Sequence, residues 1–473
     1  MCVLRFSGGY TCHLRQKSPE IMNKNIKMTA CLYLLLAIFS CSSDSEKKEK
    51  DTPADPPVVK PLFETDAEYL DDIQKRSLDY MWAGANSNSG LARERIHLDN
   101  PTYSENVITT GGSGFGIAGL LVGVERKFLD RKAVADRMER IVNFLTDADR
   151  FHGVWPHWID GNNGRVLPFS TKDDGGDLVE SSFLMASLLC VRQYYENGTT
   201  QEKAIAEKID KLWREMEFDW YRNGQDVLYW HWSPNYNWDM NMPITGYNEC
   251  LITYILAASS PTHSVPSDCY HKGWARGGNI TTSAQAQGYP LLLKHNGAEQ
   301  TGGPLFWAHY SYIGLDPRKL KDKYADYWTV VRNHALSNYA YCVNNPKHYA
   351  GYGKDCWGLT ASYSPEGYSA HAPGNDLGVI APTAALSSFP YTPEQSLAAL
   401  KYFYKKKDWI LGKYGFYDAF SEQTRWMQPR YLAIDQCTIA PMIENYRSGF
   451  LWKLFMSCPE IQKGLKTLGF VYE

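Results

Sequence analysis

The sequence predicts an all-α fold: an (α/α)6 barrel, a six-hairpin toroid with long loops and short β-hairpins at one pole. Three observations lead there. Some segments carry the apolar period of a helix with one wet face, and others are apolar nearly all round and rich in small residues. The two kinds alternate along the chain, which suits an outer and an inner ring. Third, Asp376-Leu-Gly-Val-Ile-Ala-Pro382 and Asp435-Gln-Cys-Thr-Ile-Ala-Pro441 share D-x-x-x-I-A-P at a separation of 59 residues. A helical hairpin of about that length, returned roughly six times, fills the chain from residue 62 onward. Turn signals at the spacing of about 8–12 residues that a β-sandwich or propeller needs are missing.

The chain is expected to start in effect at Met22, with Lys24 and Lys27 before an apolar run from Cys31 to Phe39. That run is too short to span a bilayer and reads as a signal segment over residues 1–41. Cys41 follows a small residue as in a lipoprotein box, where the thiol is lipidated. Membrane contact is therefore expected through a lipid anchor only. Residues 42–61, rich in Ser, Asp, Glu, Lys and Pro, read as a flexible tether. Their acidic-and-lysine run resembles the surface-export signals of Bacteroidetes lipoproteins, so the chain is expected at the outer membrane. Residues 62–473 are then one domain, expected to be monomeric.

Within it, a helix is expected near 66–83. Gly111–Val124 is an inner helix, and Val134, Met138, Ile141, Val142 and Leu145 mark an outer one. Leu178–Val191 is again apolar all round. Ile205, Ile209, Leu212, Trp213 and Met216 repeat the outer spacing, and Ile244–Ala258 the inner character. Further helices are expected near 324–344, 375–388, 393–409 and 435–456, with hairpins around 151–169 and 225–233.

Lys and Arg number 49 against 52 Asp and Glu, a formal charge of −3 that gathers no polyanion and argues against a nucleic-acid partner. A hydrophobic content of 44% supports a large core. Of the 11 cysteines, seven follow the tether, with no CxxC pair. Most read as buried free thiols, and a single bridge such as Cys342 to Cys356 is left open. No HExxH, phosphate loop, dinucleotide fingerprint or GxSxG occurs, the histidines are scattered, and no metal or other cofactor is expected.

The acidic residues point to chemistry. In Lys172-Asp173-Asp174-Gly175-Gly176-Asp177-Leu178-Val179-Glu180, Asp177 and Glu180 alone would make a capping box for the helix that follows. A cap needs one carboxylate, not four in eight residues, and crowded like charges raise one another's pKa. Calcium is disfavoured, because the spacing is not that of an EF-hand. Glu249 stands in an otherwise apolar helix, where an unpaired carboxyl is costly. Asp435 is flanked by apolar residues at an inner-helix start; capping is its plain reading, with Asp376 as the repeat counterpart. Glycoside hydrolysis needs one carboxylic acid and one carboxylate, about 6.5–9.5 Å apart when configuration inverts and about 5–5.5 Å when it is retained.

Aromatic and polar residues interleave in two loops: Trp155-Pro-His157-Trp158, and a second run with Trp230, His231, Trp232, Tyr236 and Trp238. Such mixing suits rings stacked on pyranose faces with hydroxyls held by His and Asn. Nucleic acid would want flanking Lys and Arg, which these loops lack.

The stretches Gly111-Gly-Ser-Gly-Phe-Gly116, His152-Gly-Val-Trp-Pro-His-Trp158, Lys172–Glu180, Cys356-Trp-Gly-Leu-Thr-Ala361 and Ala433-Ile-Asp-Gln-Cys-Thr-Ile-Ala-Pro-Met-Ile-Glu-Asn-Tyr446 resemble the glycoamylase-like family. That group of (α/α)6-barrel proteins overlaps glycoside hydrolase family 144. The resemblance implies an inverting hydrolase of β-1,2-glucan, releasing sophorose or short oligosaccharides. By motif, Glu249 would be the general acid and Asp435 the base, with a substrate hydroxyl as one route to its water, and Asp173, Asp177 and Glu180 would be further acids of the cleft. The family commonly has Gly where this chain has Cys437. The alternatives are an exo-acting α-glucosidase on the same barrel and a non-catalytic glycan-binding lipoprotein.

Overall fold

The first outer helices begin with a polar residue that satisfies free backbone N–H groups. In the computed structural model, which describes residues 62–472, α1 (Asp66–Trp82) opens with a capping box between Thr65 and Glu68. The signal segment, Cys41 and the tether lie outside the described residues. After α2 (Thr110–Glu125) comes α3 (Arg131–Asp147), whose first turn is capped by Asp130; after α4 (Leu178–Tyr195) comes α5 (Thr200–Arg214), with a second capping box between Thr199 and Glu202. Both α3 and α5 bury the stripe read from the sequence and expose the opposite face.

The inner helices are buried on every side. In α2 everything from Thr110 to Gly123 is buried, and a side chain at Gly114 would strike the backbone of Leu184 at 2.6 Å, so glycine sets how closely α2 and α4 approach. The inner ring continues through α6 (Leu251–Ser259) to two short 3-10 turns, Leu305–Ala308 and Tyr310–Tyr312. Behind those turns lies α7 (Tyr327–Asn344), after which come α8 (Pro382–Leu386), α9 (Pro393–Lys405), the single turn α10 (Lys407–Ile410) and α11 (Ala433–Arg447). Helix α2 packs on α4 and α11, α4 on α6, and α8 on α11, which closes the ring. Two last helices, α12 (Phe450–Met456) and α13 (Pro459–Thr467), return to α4 and α6. The strands are short and form no closed sheet, so the fold is the expected (α/α)6 barrel. No helix among the described residues is long and apolar enough to cross a membrane.

The strands matter for where they end. Val107–Thr109 runs directly into α2, Gly176–Asp177 into α4 and Arg430–Leu432 into α11. They pair with Trp158–Asp160, His231–Trp232 and Arg95–His97 respectively, all antiparallel. Three inner-helix N-termini are thereby laced to loop segments, and a helix N-terminus favours negative charge.

Several expectations need correction. Residues 244–250 are not helical: the Ile244 and Gly246 N–H groups donate to Leu228 and Trp274 carbonyls, and Asn248 Oδ1 takes the Cys250 N–H, so no helix can begin before Leu251. The helix expected over 375–388 shrinks to α8, and that expected over 435–456 starts at Ala433 and breaks at Gly449. Residues 151–169 do contain a strand pair, but 225–233 holds no hairpin, since His231–Trp232 pairs with Gly176–Asp177. The D-x-x-x-I-A-P repeat has no common structure: Pro382 opens α8, whereas Pro441 lies inside α11. All seven cysteines after the tether are free and buried, so Cys342 and Cys356 are not bridged.

Candidate active site

Asp177 gathers the first group of acids. It is the N-cap of α4, with Oδ1 accepting the N–H groups of Val179 at 3.0 Å and Glu180 at 2.9 Å. Its Oδ2 receives His157 Nδ1 at 2.9 Å and the Trp230 indole N–H at 3.2 Å. The capping reading thus holds for Asp177 but not for Glu180, whose Oε2 leaves the cap and accepts the Gly111 N–H of α2 at 2.8 Å. Nε2 of His231 lies 3.3 Å from Oδ2 of Asp173. Oδ1 of Asp173 and Nδ1 of His231 are buried without a hydrogen-bond partner among the described residues.

Crowding and burial set the protonation here. Burial opposes charge on His157, but Glu180, Asp177 and Asp173 together outweigh it and raise the imidazole to about 9. Burial, then the neighbouring carboxylates, pushes Asp173 and Glu180 up to about 7. His231 is shifted down by burial and stays neutral. His157, Asp173 and Asp177 each offer an atom within 4.8 Å of the others. With His157 charged, the trio is held together as an ion-paired network.

Glu249 sits in the loop just before α6 rather than within a helix, and it is buried. Its carbonyl accepts the Ser311 hydroxyl, while its Oε2 has no partner among the described residues. Burial, with smaller contributions from Glu180 and Asp177, pushes this carboxyl up to about 8. It is therefore an acid that keeps its proton at neutrality.

Asp435 is the third residue of α11, with Leu432 at the cap position, so it caps nothing. Its Oδ1 takes the Tyr310 hydroxyl at 3.4 Å, and burial raises its pKa well above the usual carboxylate range. Its supposed counterpart Asp376 caps nothing either; it accepts the hydroxyls of Tyr341 and Tyr352 behind α8. Tyr310 ties the two halves of the site together, because Asp435, Glu180 and Glu249 all act on its phenol and the adjacent Ser311 holds the Glu249 backbone. Sequence pattern singles out neither Tyr310 nor Asp418, a buried carboxyl within hydrogen-bonding reach of Asp435. Neither lies in a motif; each is one aromatic or acidic residue in an irregular stretch.

The aromatic candidates divide. His157, Trp230 and His231 line the acid cluster, and Trp158 packs edge-on against Phe169, the ring on which His157 stacks at 4.0 Å. Trp155 is fully buried with its indole N–H on the Leu145 carbonyl, so it is core. Neighbours on a strand face opposite ways, and while His231 faces Asp173, Trp232 packs with His152 and Trp220. Trp238 joins Trp220, Tyr221 and Tyr229, and Tyr236 is exposed. Trp232 and Trp238 thus meet around Trp220 in an aromatic cluster apart from the acids.

Comparison with known proteins agrees with this architecture. A family model described as "Putative glucoamylase" matches residues 241–459. An endo-β-1,2-glucanase from Chitinophaga pinensis, solved with sophorotriose and glucose, is 59% identical, with a TM-score of 0.85 over 86% of this chain and 99% of that one. An exo-β-1,2-glucooligosaccharide sophorohydrolase from Parabacteroides distasonis is 42% identical over 426 residues, 85% of this chain but 58% of that protein's length. The chain thus spans little more than half of that curated relative. An endo-β-1,2-glucanase from Talaromyces funiculosus, at 12% identity and a TM-score of 0.60, shares the fold alone over 85% of this chain and 92% of that one. With its barrel, its motifs and a relative matched almost end to end, the chain belongs to the glycoamylase-like family that overlaps glycoside hydrolase family 144.

Proposed function

We propose that this protein hydrolyses β-1,2-glucan with inversion, releasing sophorose or short oligosaccharides, with Glu249 as general acid and Asp435 as base. The observation that carries the reading is that neighbouring Tyr310 and Ser311 hold the Asp435 carboxyl and the Glu249 backbone carbonyl, bringing together two acids 186 positions apart in the chain, of which Glu249 is protonated at neutral pH. Glu249 gives its proton to the glycosidic oxygen as the bond to the anomeric carbon breaks. Water attacks that carbon from the opposite face and loses its proton to Asp435. Asp173, Asp177 and Glu180, with His157, Trp230 and His231, offer donors and acceptors for the sugar hydroxyls. Support for the linkage comes from the Chitinophaga pinensis and Parabacteroides distasonis relatives, described as an endo-β-1,2-glucanase and an exo-β-1,2-glucooligosaccharide sophorohydrolase.

The test is reducing-sugar release from β-1,2-glucan and starch in parallel, with the product anomer read by NMR. Release from starch alone would replace the reading with an α-glucosidase, and binding without release would make the protein a glycan binder. Export, lipidation at Cys41 and a monomeric, outer-membrane-anchored state belong to the same proposal. Cys41→Ala should abolish incorporation of labelled palmitate and free the protein from membranes.

A further inference from the structure

Two buried carboxyls in contact cannot both stay charged, and one such pair lies beneath the proposed base. Oδ1 of Asp418 and Oδ2 of Asp435 are each fully buried, and neither receives an N–H or O–H from any other described residue. The two carboxyls lie within hydrogen-bonding reach of each other, and a hydrogen bond between two acceptors requires one shared proton. Their surroundings are unequal. Oδ2 of Asp418 accepts the Tyr363 backbone N–H at 2.7 Å, and the Arg95 guanidinium acts on it. Oδ1 of Asp435 receives the more distant Tyr310 hydroxyl at 3.4 Å. The negative charge is thus better held on Asp418 and the proton on Asp435.

We propose that Asp418 is the positioning residue and proton acceptor behind Asp435, the attacking water losing its proton to Oδ1 of Asp435 as the proton on Oδ2 of Asp435 passes to Oδ1 of Asp418. The inference rests on the assignment of Asp435 as the base. The step balances: one O–H of water breaks, one O–H forms on Asp418, and the charge that rested on Asp418 leaves with the oxygen that attacks the anomeric carbon. Asp435 ends with one proton, as it began. The backbone holds Asp418 in place, since its N–H donates to the Arg430 carbonyl at 3.0 Å in the strand that leads into α11. The groups facing the pair are Glu94, Arg95 and Tyr363 around Asp418, and Tyr310 and Glu94 around Asp435. Burial, eased by the Tyr363 N–H, raises Asp418 to about 7, which places loss of the pair's last negative charge near neutrality.

The test is the pH dependence of kcat/KM on β-1,2-linked oligosaccharides for the wild type, Asp418→Asn and Asp435→Asn. An amide at 418 donates to Oδ2 of Asp435 and leaves that carboxylate charged without a proton to pass on. The expected result is a kcat at least ~10-fold lower and an acid limb displaced downward by about one pH unit or more, with KM little changed. A variant that merely disturbed packing would lower activity without moving the limb, and that outcome overturns the proposal. Should Asp418→Asn not fold, infrared difference spectra between wild type and Asp435→Asn at neutral pH decide instead. A hydrogen-bonded COOH band lost with Asp435 is expected, and its absence overturns the idea. Full turnover by Asp435→Asn would remove the base assignment itself, whereas an inactive Asp435→Asn beside an unshifted Asp418→Asn removes only the relay.

Discussion

Tyr310 donates its hydroxyl to Oδ1 of Asp435 at 3.4 Å, joining a 3-10 turn of the inner ring to the first turn of α11. Its ring lies among Phe115, Phe183 and Phe306, so phenylalanine fits the same space. The hydroxyl lowers a pKa that burial raises. Tyr310→Phe should therefore move the acid limb of kcat/KM upward, opposite to Asp418→Asn, and reduce kcat by about tenfold. An unchanged limb in a rate profile would refute the contact.

Glu249→Gln removes the proposed proton donor and should lower turnover at least ~10²-fold while sugar affinity persists. Stability should respond the other way. The folded carboxyl, raised from 4.5 to about 8, binds its proton more tightly than the unfolded one, so stability falls as pH rises across that window. The wild type should lose stability toward pH 8 at up to ~1.4 kcal/mol per pH unit from this group. Glutamine does not ionise, so thermal melting at pH 8 should show the variant with the higher Tm.

His157 carries the positive charge of the acid cluster. Its pKa, raised to about 9, makes its contribution complete below the ordinary histidine value of 6.5 and lost as pH climbs through 9. His157→Gln should be less stable by about 1–3 kcal/mol at acidic pH, because Asp177 loses a charged partner. Denaturant titrations at several pH values should show the gap closing on the alkaline side.

Gly111 seats Glu180. Its N–H reaches Oε2 at 2.8 Å, and a methyl group on its Cα would collide with the same carboxyl. Gly111→Ala should displace Glu180 and raise KM severalfold, while circular dichroism stays helical because alanine favours a helix. Steady-state kinetics that match the wild type would show that the seat is unimportant.

The two aromatic groups should behave differently. Trp230 donates to Asp177 at the acid cluster, and its replacement by Phe should raise KM. Trp220, 41% exposed and packed on His152 in the outlying cluster, should tolerate Ala with little change in turnover. Kinetics on oligosaccharides of graded length would reveal any contrary role for the outer cluster.

Much of the barrel was legible because helix period and all-round burial are local signals. The stripes of α3 and α5 and the small-residue inner helices α2 and α4 follow directly from side-chain spacing. Helix boundaries are less legible where long-range hydrogen bonds compete. Apolar neighbours place Glu249 in a helix, yet the backbone ahead of it is bonded to distant loops. The internal repeat misled for a related reason: seven residues can recur without sharing a backbone conformation.

The sequence by itself determined the two kinds of helix and the acids worth suspecting, because hydrophobic spacing and isolated carboxyls are properties of the chain. Tertiary structure alone decided which acids meet and which are charged. Asp177 caps while Glu180 crosses to α2, Trp155 is core while Trp230 faces the acids, and Asp418 comes to rest against Asp435. Protonation follows from burial and from charges brought close in space, and neither exists until the rings close.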